Sequence, residues 1–338
     1  MTAHIRQIEV YLPEPIESNE QLSREFPDWP VAKIAARTGI DIRHIAPAGQ
    51  CASDLAVAAA QQLFASGVAS RSDIDFLLFC TQTPDYFLPP TACLIQDRLG
   101  IPTTAGAMDY NLGSSGFVYG LALAQGLIET GSARNVLLLA ADTYSKLIHP
   151  ADKSTRTIFG DGAAATLISG MESGSRIGPY VFGTDGSGAQ NLIVPAGAMR
   201  LPKSPETAIS QSDSSGNVRT PENLFMDGAE IFAFTLASVP KLVNEVLARA
   251  GKTKEDVGLF VFHQPNRYML ESIRKQLKID PERFAIYLED CGNTVSATIP
   301  IALKRAQEEQ RLKPGTLVLL AGFGVGYSWA GTLVEWAV

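Results

Sequence analysis

The chain repeats itself once, and this repeat limits the folds open to it more than any other feature. A polar start, an apolar strand and a polar turn occur in "SDIDFLLFCTQTPD" and again in "KEDVGLFVFHQPN". Each copy lies between two stretches with helical periodicity. Four pairs of positions recur in the same order at offsets of 178 to 183 residues: Asp73 with Asp256, Leu99 with Leu277, Gly113 with Gly292, and Val136 with Leu317. This order predicts two copies of one supersecondary unit.

The alternation of strands and helices predicts the fold class. It indicates βαβ units around mixed, largely parallel sheets that helices cover on both faces. Two such copies form an α/β fold, a duplicated five-layer α/β/α/β/α sandwich. We place the N-terminal half at residues 1–170 and the C-terminal half at 171–338. Residues 200–223 are rich in Ser, Thr and Pro without an apolar period, which predicts a long mobile loop, either a lid or a surface insertion.

Composition narrows the class of protein. A net charge of −7 argues against nucleic acid as the main partner. The four cysteines form no C-x-x-C pair, so neither a metal site nor a redox motif is predicted, and no cofactor. The N-terminus has no apolar signal core, and the apolar runs 110–128 and 316–334 contain glycines and turn signals. We therefore expect a soluble, cytoplasmic enzyme with no membrane partner.

The register of the repeat brings three candidate residues together. It pairs Ser114 with Asn293, and Cys80 with His263, so the loops that carry Ser114, His263 and Asn293 are expected to meet in one cleft. Ser114 would begin a buried helix, where the dipole favours an anion, and Asn293 would supply a carboxamide donor. Ser114 and Asn293 also have structural interpretations, because a serine at a helix start is usually a cap and an asparagine after glycine is usually a turn residue. The other histidines lie in polar contexts typical of the surface: His4, His44 and His149.

Several ordered motifs resemble one family over nearly the whole chain. They are "NLGSSGFVYGL", "IFGDGAAATL", "FHQPN", "GNTVSATIP" and "GFGVGYSW". Together they resemble the β-ketoacyl-acyl carrier protein synthase III family of the thiolase superfamily, which makes fatty acid or polyketide precursors. In that family a cysteine takes an acyl group from acyl-CoA, and histidine and asparagine promote decarboxylation of a malonyl thioester. The resulting carbanion then attacks the acyl-enzyme. The resemblance implies acyl-CoA and a malonyl thioester, carried on acyl carrier protein, as substrates of an acyltransferase.

The resemblance also implies roles for individual residues. His263 and Asn293 would bind the malonyl thioester oxygen and stabilise the enolate. The remaining roles are an oxyanion site at the backbone N–H groups of Ser114 and Gly326, CoA binding by Arg37 and Lys153, and an acyl tunnel lined by Leu88 near the partner of a homodimer. The helix after His263 offers a basic face for the acidic carrier protein, or simply a solvated face: Arg267, Arg274 and Lys275.

Two positions depart from the family. Ser114 stands where the family has its nucleophilic cysteine, and Lys33 stands where it often has a tryptophan that stacks on the CoA adenine. A thiol, with a pKa of roughly 8.5, becomes a thiolate at a helix N-terminus. A serine hydroxyl instead needs a general base, for which His263 is the candidate. The serine ester is also a poorer acyl donor to a carbanion than a thioester, so Ser114 argues against ordinary condensation.

Three interpretations of Ser114 follow. It is an engineered Cys→Ser change that blocks turnover, or the nucleophile of a natural serine variant. Such a variant would load an acyl starter or transfer it to an acceptor other than a malonyl thioester. In the third interpretation the chain is a non-condensing partner subunit that binds acyl chains or completes a heterodimer. Retention of both His263 and Asn293 counts against the third, because a scaffold has no need of a decarboxylation pair.

Overall fold

The structure, a computed structural model, describes residues 2–171 and 174–337. The strands are β1 (His4–Tyr11), β2 (Ile16–Ser18), β3 (Ile42–His44), β4 (Phe76–Cys80), β5 (Gly106–Tyr110), β6 (Asn135–Asp142), β7 (Gly162–Ser169), β8 (Ser175–Thr184), β9 (Leu192–Ile193), β10 (Gln211–Ser212), β11 (Val218–Arg219), β12 (Phe225–Met226), β13 (Leu259–Phe262), β14 (Leu317–Gly324) and β15 (Ser328–Glu335). The α-helices are α1 (Asn19–Glu25), α2 (Val31–Thr38), α3 (Ala52–Ala65), α4 (Thr91–Leu99), α5 (Gly116–Glu129), α6 (Lys153–Arg156), α7 (Gly228–Ala250), α8 (Arg267–Leu277) and α9 (Thr298–Glu308).

One continuous sheet links the two copies of the repeat. Within the described residues it has nine strands in the order β13-β14-β15-β8-β1-β7-β6-β4-β5. Strands β5, β4, β6, β7 and β1 come from the first copy, and β13, β14, β15 and β8 from the second. The two sets join where β1 pairs with β8 over two residues, His4 with Arg176 and Ile5 with Ser175.

The helices divide this sheet into the predicted layers. Helices α5 and α9 lie in the middle, where their apolar faces form one core with residues of both sets of strands. Helices α3 and α4 cover the outer face of the first set, and α7 and α8 cover that of the second. Alternate residues of β4 serve different layers, because Leu77 and Phe79 face the outer helices and Leu78 faces the middle ones. The predicted five-layer α/β sandwich is therefore confirmed.

Equivalent positions of the two copies form equivalent local structure. Ser70 with Asp73, and Thr253 with Asp256, make matching capping boxes on the short 3₁₀ turns that precede β4 and β13. Leu99 and Leu277 each end an α-helix, α4 in one copy and α8 in the other. Each capping box involves residues only three positions apart, so it can be recognised from the sequence alone. The two boxes therefore align the two copies of the repeat correctly.

The prediction of largely parallel sheets is wrong. Parallel pairing joins β4 to β5, β4 to β6 and β13 to β14, whereas the other five neighbouring pairs are antiparallel. The reason is visible in "GFGVGYSW", a turn that folds β14 directly back onto β15. A short turn can only join antiparallel strands, because a parallel connection needs a crossover of a dozen or more residues.

Residues 200–223 contain the short hairpin of β10 and β11. Arg219 ties this hairpin to the body through its Nε, which lies 3.0 Å from the buried Asp152 carboxylate. The segment leaves and rejoins the body next to the β9–β12 pair. Its mobility and its role as a lid or an insertion stay predictions.

Helix α7 is the one described helix long and apolar enough to cross a membrane by length and composition. Its apolar side chains pack with α8 and with β13, β14 and β15 in one core. It is a core helix of the sandwich.

Candidate active site

Ser114, His263 and Asn293 line a single cavity of about 130 Å³, so the structure brings these three residues together. Each comes from a turn at the end of a different element, as the register of the repeat predicted. The rest of the lining is mostly apolar: Tyr144, Ile158, Phe159, Leu192, Met226, Gly228, Ile231, Thr235, Pro265, Asn266, Met269, Val295, Phe323, Gly324 and Val325. Such a cavity suits an extended, largely uncharged substrate arm with polar chemistry at one end.

Ser114 lies in the turn before α5 and is 8% exposed. Neither adjacent serine caps that helix, since α5 has no side-chain cap hydrogen bond and Ser115 Oγ instead lies 2.8 Å from Ser328 Oγ. The end of β14 approaches this turn very closely. A Cβ on Gly324 would lie 3.3 Å from Ser114 Oγ, and one on Gly322 would lie 2.5 Å from the Ser114 carbonyl oxygen. Glycine at both positions leaves room for the turn.

His263 follows β13 and is buried. Its backbone N–H donates to the Ala321 carbonyl at 2.8 Å, and its ring meets the edge of Phe323 with centroids 5.5 Å apart. Nδ1 lies 2.8 Å from Thr298 Oγ1. Burial lowers the pKa of His263 to about 3, so the imidazole is neutral near neutral pH. A neutral imidazole has one nitrogen that can accept a proton.

Among the described residues, none occupies the amino group of the Asn293 side chain. Its Oδ1 accepts a hydrogen bond from the Val295 backbone N–H at 2.9 Å. Its backbone exchanges bonds with the strand-like segment before β7, as Asn293 N–H donates to the Ile158 carbonyl at 2.9 Å and Gly160 N–H donates to the Asn293 carbonyl at 3.0 Å. Because a backbone N–H can only donate, the oxygen of the carboxamide faces Val295 and Nδ2 is left to donate to a ligand.

A buried carboxyl group joins the two copies of the repeat near this site. Asp142, at the end of β6, accepts hydrogen bonds from the Gln82 backbone N–H and from the hydroxyl and N–H of Ser296, two residues before Thr298. Burial raises the pKa of Asp142 to about 7, although these hydrogen bonds act to lower it. The carboxyl thus ties the turn that carries Asn293 to the first set of strands.

Arg37 is exposed on α2, and its role in binding CoA stays a prediction. Its guanidinium and the Lys33 ammonium each lie 5.1 Å from the centre of the Trp29 ring. Lys153 is only 11% exposed at its side chain and pairs with Asp28 at 2.6 Å. The Arg37 guanidinium is therefore accessible to an anionic ligand. Lys153 can bind such a ligand only after its ion pair with Asp28 is broken.

Gly326 and Leu88, predicted for the oxyanion site and the acyl tunnel, do not line the cavity. Gly324 and Val325 line the cavity but Gly326 does not, so the two residues before Gly326 bring the backbone of this segment to the cavity. Leu88 is 80% exposed and belongs to an apolar patch with Tyr86 and Phe87. Their roles in the oxyanion site and in the acyl tunnel stay predictions.

The three basic residues of α8 differ in availability. Lys275 is exposed, and Arg267 forms a 3.2 Å ion pair with Glu289 at the surface. Arg274 is 14% exposed at its side chain, pairs with Glu271 at 2.7 Å and donates to the Ile279 carbonyl. Arg274 thus stabilises the C-terminal end of α8. The docking role stays a prediction, for which Arg267 and Lys275 are the more exposed residues.

Three residues around the site are not among those predicted from the sequence: Trp29, Val295 and Thr298. Trp29 precedes Lys33 and Arg37 by four and eight residues, and that helical spacing is a signal that could have identified it. Thr298 and Val295 gave no such signal, because their importance depends on tertiary hydrogen bonds. The described residues contain no group of three or more side chains that could hold a metal ion.

Comparisons with known proteins agree with this architecture. The family described as 3-oxoacyl-[acyl-carrier-protein (ACP)] synthase III matches residues 108–186, and its C-terminal region matches residues 247–336. The β-ketoacyl-[acyl-carrier-protein] synthase III of Caldanaerobacter subterraneus subsp. tengcongensis is 39% identical over 330 residues, which are 97% of this chain and 96% of that protein.

Solved structures agree over the whole length. A crystal structure of a 3-oxoacyl-(acyl-carrier-protein) synthase III superposes with a TM-score of 0.98 at 54% identity, covering 99% of this chain and 100% of that one. A 3-oxoacyl-(acyl-carrier protein) synthase from Burkholderia xenovorans LB400 gives 0.91 at 36% identity, covering 100% and 94%. The predicted thiolase-like fold is confirmed.

Proposed function

The chain belongs to the 3-oxoacyl-[acyl-carrier-protein] synthase III family, and on that premise we propose that it transfers an acyl group from acyl-CoA to Ser114 and condenses it with a malonyl thioester. It is a transferase of this family. The observation that supports the individual steps is the shared cavity: Ser114, His263 and Asn293 all line it, and the rest of its lining is mostly apolar. The malonyl group would be carried on acyl carrier protein.

The first half-reaction forms the acyl-enzyme. Ser114 Oγ attacks the thioester carbonyl carbon of acyl-CoA while its proton moves to the accepting nitrogen of His263. The carbon–sulfur bond then breaks, and the CoA thiolate takes the proton from His263 and leaves as the thiol. Backbone N–H groups of the Ser114 turn and of the segment after β14 would stabilise the oxyanion. The neutral state of His263, a consequence of its burial, is the state that this step requires.

The second half-reaction forms the carbon–carbon bond. The malonyl thioester loses CO₂, and the Asn293 amino group donates to the enolate oxygen that develops. The enolate carbon attacks the ester carbonyl on Ser114 and the ester bond breaks. The serine oxygen then takes up a proton from solvent, which His263 relays. The product is a β-ketoacyl thioester on the carrier protein, and the enzyme returns to its starting state.

The surface around the cavity supports proposals on binding. Arg37 and Lys153 would hold the CoA phosphates, with Lys153 released from Asp28. Helix α2 packs against α8 where Gly39 meets Arg267, so the CoA face and the Arg267–Lys275 docking face adjoin. Leu88 would be covered by the partner of a cytoplasmic homodimer, where it would complete the acyl tunnel.

A second candidate function is acyl loading or transfer without condensation, by a natural serine variant. A serine that shares a cavity with a neutral histidine favours this second function, because such a pair can form an ester, whereas the ester is a poor acyl donor to a carbanion. An engineered Cys→Ser change would instead leave a site that binds substrate and fails to turn over.

Intact-protein mass spectrometry with a panel of acyl-CoAs tests the proposal, with malonyl carrier protein added in a second step. We expect an acyl adduct that is lost in Ser114→Ala, kept in the matched Ser115→Ala, and released as a β-ketoacyl product. An adduct that malonyl carrier protein does not release supports transfer without condensation. Rapid acylation of Ser114→Cys with none of the unchanged chain indicates a disabled synthase. The absence of an adduct on both would overturn the proposal in favour of a partner subunit.

A further inference from the structure

We propose that Thr298 is a positioning residue for His263: its hydroxyl accepts the Nδ1 proton of the ring and thereby leaves Nε2 as the proton acceptor of the cavity. The catalytic consequence rests on the proposed function, whereas the proton arrangement rests on geometry alone. Thr298 is the first residue of α9, and Nδ1 of His263 lies 2.8 Å from its Oγ1.

Counting protons gives the direction of this hydrogen bond. Thr298 Oγ1 has one hydrogen and two neighbours, the His263 ring and the Val295 carbonyl, which lies 3.0 Å away. A carbonyl oxygen can only accept, so the hydroxyl hydrogen goes to Val295. The contact with His263 is then a hydrogen bond only if Nδ1 carries the proton. Both contacts are satisfied in this arrangement, and the opposite tautomer leaves one of them without a hydrogen.

Burial makes the count decisive. His263, Thr298 and Val295 are each less than 5% exposed, so water has little access to compensate a lost bond. The Val295 carbonyl is also held in place, because it accepts the Thr298 backbone N–H in addition to the hydroxyl. Val295 has a φ of +55°, which is unusual for a β-branched residue. Its N–H also fixes the Asn293 carboxamide. Val295 thus orients both Asn293 and Thr298, the residue that contacts the His263 ring.

The arrangement assigns complementary roles to the two side chains. Asn293 presents hydrogens to the cavity, and His263 presents a lone pair at Nε2. A lone pair there accepts the proton of Ser114, the step that a serine needs and a thiolate does not. Thr298 therefore holds His263 in the tautomer that a hydroxyl nucleophile requires.

The tautomer can be measured directly by ¹⁵N NMR of histidine-labelled protein at alkaline pH. The chain has four histidines, and the His263→Gln variant identifies the signal of interest. Two others are internal references: His4 Nδ1 donates to the Gly174 carbonyl at 2.9 Å, and His149 Nδ1 accepts from the Ala151 N–H at 3.0 Å. We expect His263 to match His4, with a protonated Nδ1 and an unprotonated Nε2. A match to His149 overturns the proposal.

Substitutions separate positioning from folding. In Thr298→Val we expect the Nδ1–H tautomer to be lost and the rate of Ser114 acylation to fall about tenfold, while Thr298→Ser retains both within about threefold. Thr332→Val is the matched control, because Thr332 is a buried threonine that donates to the Pro179 carbonyl away from the cavity. Retention of the Nδ1–H tautomer in Thr298→Val refutes the role of Thr298. If the tautomer is as expected but the unchanged chain is never acylated, the proposed function fails and the proton arrangement stands.

Discussion

Replacement of Asp142 by asparagine should change how the stability of the protein depends on pH. The folded-state pKa of this buried carboxyl is about 7, whereas its ordinary value is 3.8. The folded protein therefore binds a proton at Asp142 more tightly than the unfolded chain does. A raised carboxyl pKa contributes stability that is fully present below the unfolded value and is lost as pH rises through the folded value. Asparagine does not titrate, so the variant lacks this dependence.

The size of the effect follows from the two pKa values. Linkage gives a contribution of about 2.7 kcal/mol at about pH 5 and close to zero at about pH 8. Relative to Asp142→Asn, the unchanged protein should thus lose about 2.5 kcal/mol of its free energy of unfolding across this range. His263 has the opposite dependence, since its lowered pKa makes stability rise with pH between about 3 and 6.5. It is present in both proteins, so its contribution cancels in the difference.

Urea unfolding at several pH values measures this difference. The control is Asp256→Asn, whose exposed capping carboxylate has a pKa lowered by hydrogen bonds to Thr253. Its contribution is lost only at more acid pH, so the difference for this variant should be flat over the same range. A flat or rising difference for Asp142→Asn would show that Ser296 and the backbone donors stabilise the carboxylate enough to cancel the cost of burial.

The other predictions concern the cavity. Because the pKa of His263 is about 3, single-turnover acylation should stay constant as pH falls through 6.5, and a loss centred there would contradict a buried base. Gly324→Ala should slow acylation more than tenfold with the fold intact. Gly322→Ala should slow acylation and also lower the free energy of unfolding by about 1–3 kcal/mol. Single-turnover acylation and urea unfolding measure the two effects. Val295→Gly should be at least as stable to urea as Val295→Ala, because only glycine relieves the positive φ, and a less stable glycine variant would argue against strain.

The sequence predicts the duplicated architecture because the signals of the repeat are local. Capping residues such as Asp73 and Asp256, and apolar strands of fixed spacing, specify their elements without tertiary context. Strand direction is different. The turn between β14 and β15 consists of three residues, and its glycines fit a long loop as well as a tight antiparallel connection. The sequence alone therefore does not indicate that these strands are antiparallel.

At the site, the register of the repeat was sufficient to bring Ser114, His263 and Asn293 together. The residues that set their proton arrangement could not be predicted in this way. Thr298 matters only because its hydroxyl reaches both the His263 ring and the Val295 carbonyl. The position of that carbonyl depends on a left-handed backbone at a valine, which residue preferences disfavour.

The two ends of the nine-stranded sheet are not equivalent. At one end β5 is a regular five-residue strand that pairs only with β4 among the described residues. At the other end β13 is bridged by Phe284 and by the Ala285 N–H, which donates to the Phe260 carbonyl at 2.9 Å. An open edge is a template for another strand, and an occupied edge is not. If a second copy paired with β5 about a two-fold axis, the open edges of both copies would be used, and neither described sheet would keep an open edge for a third copy.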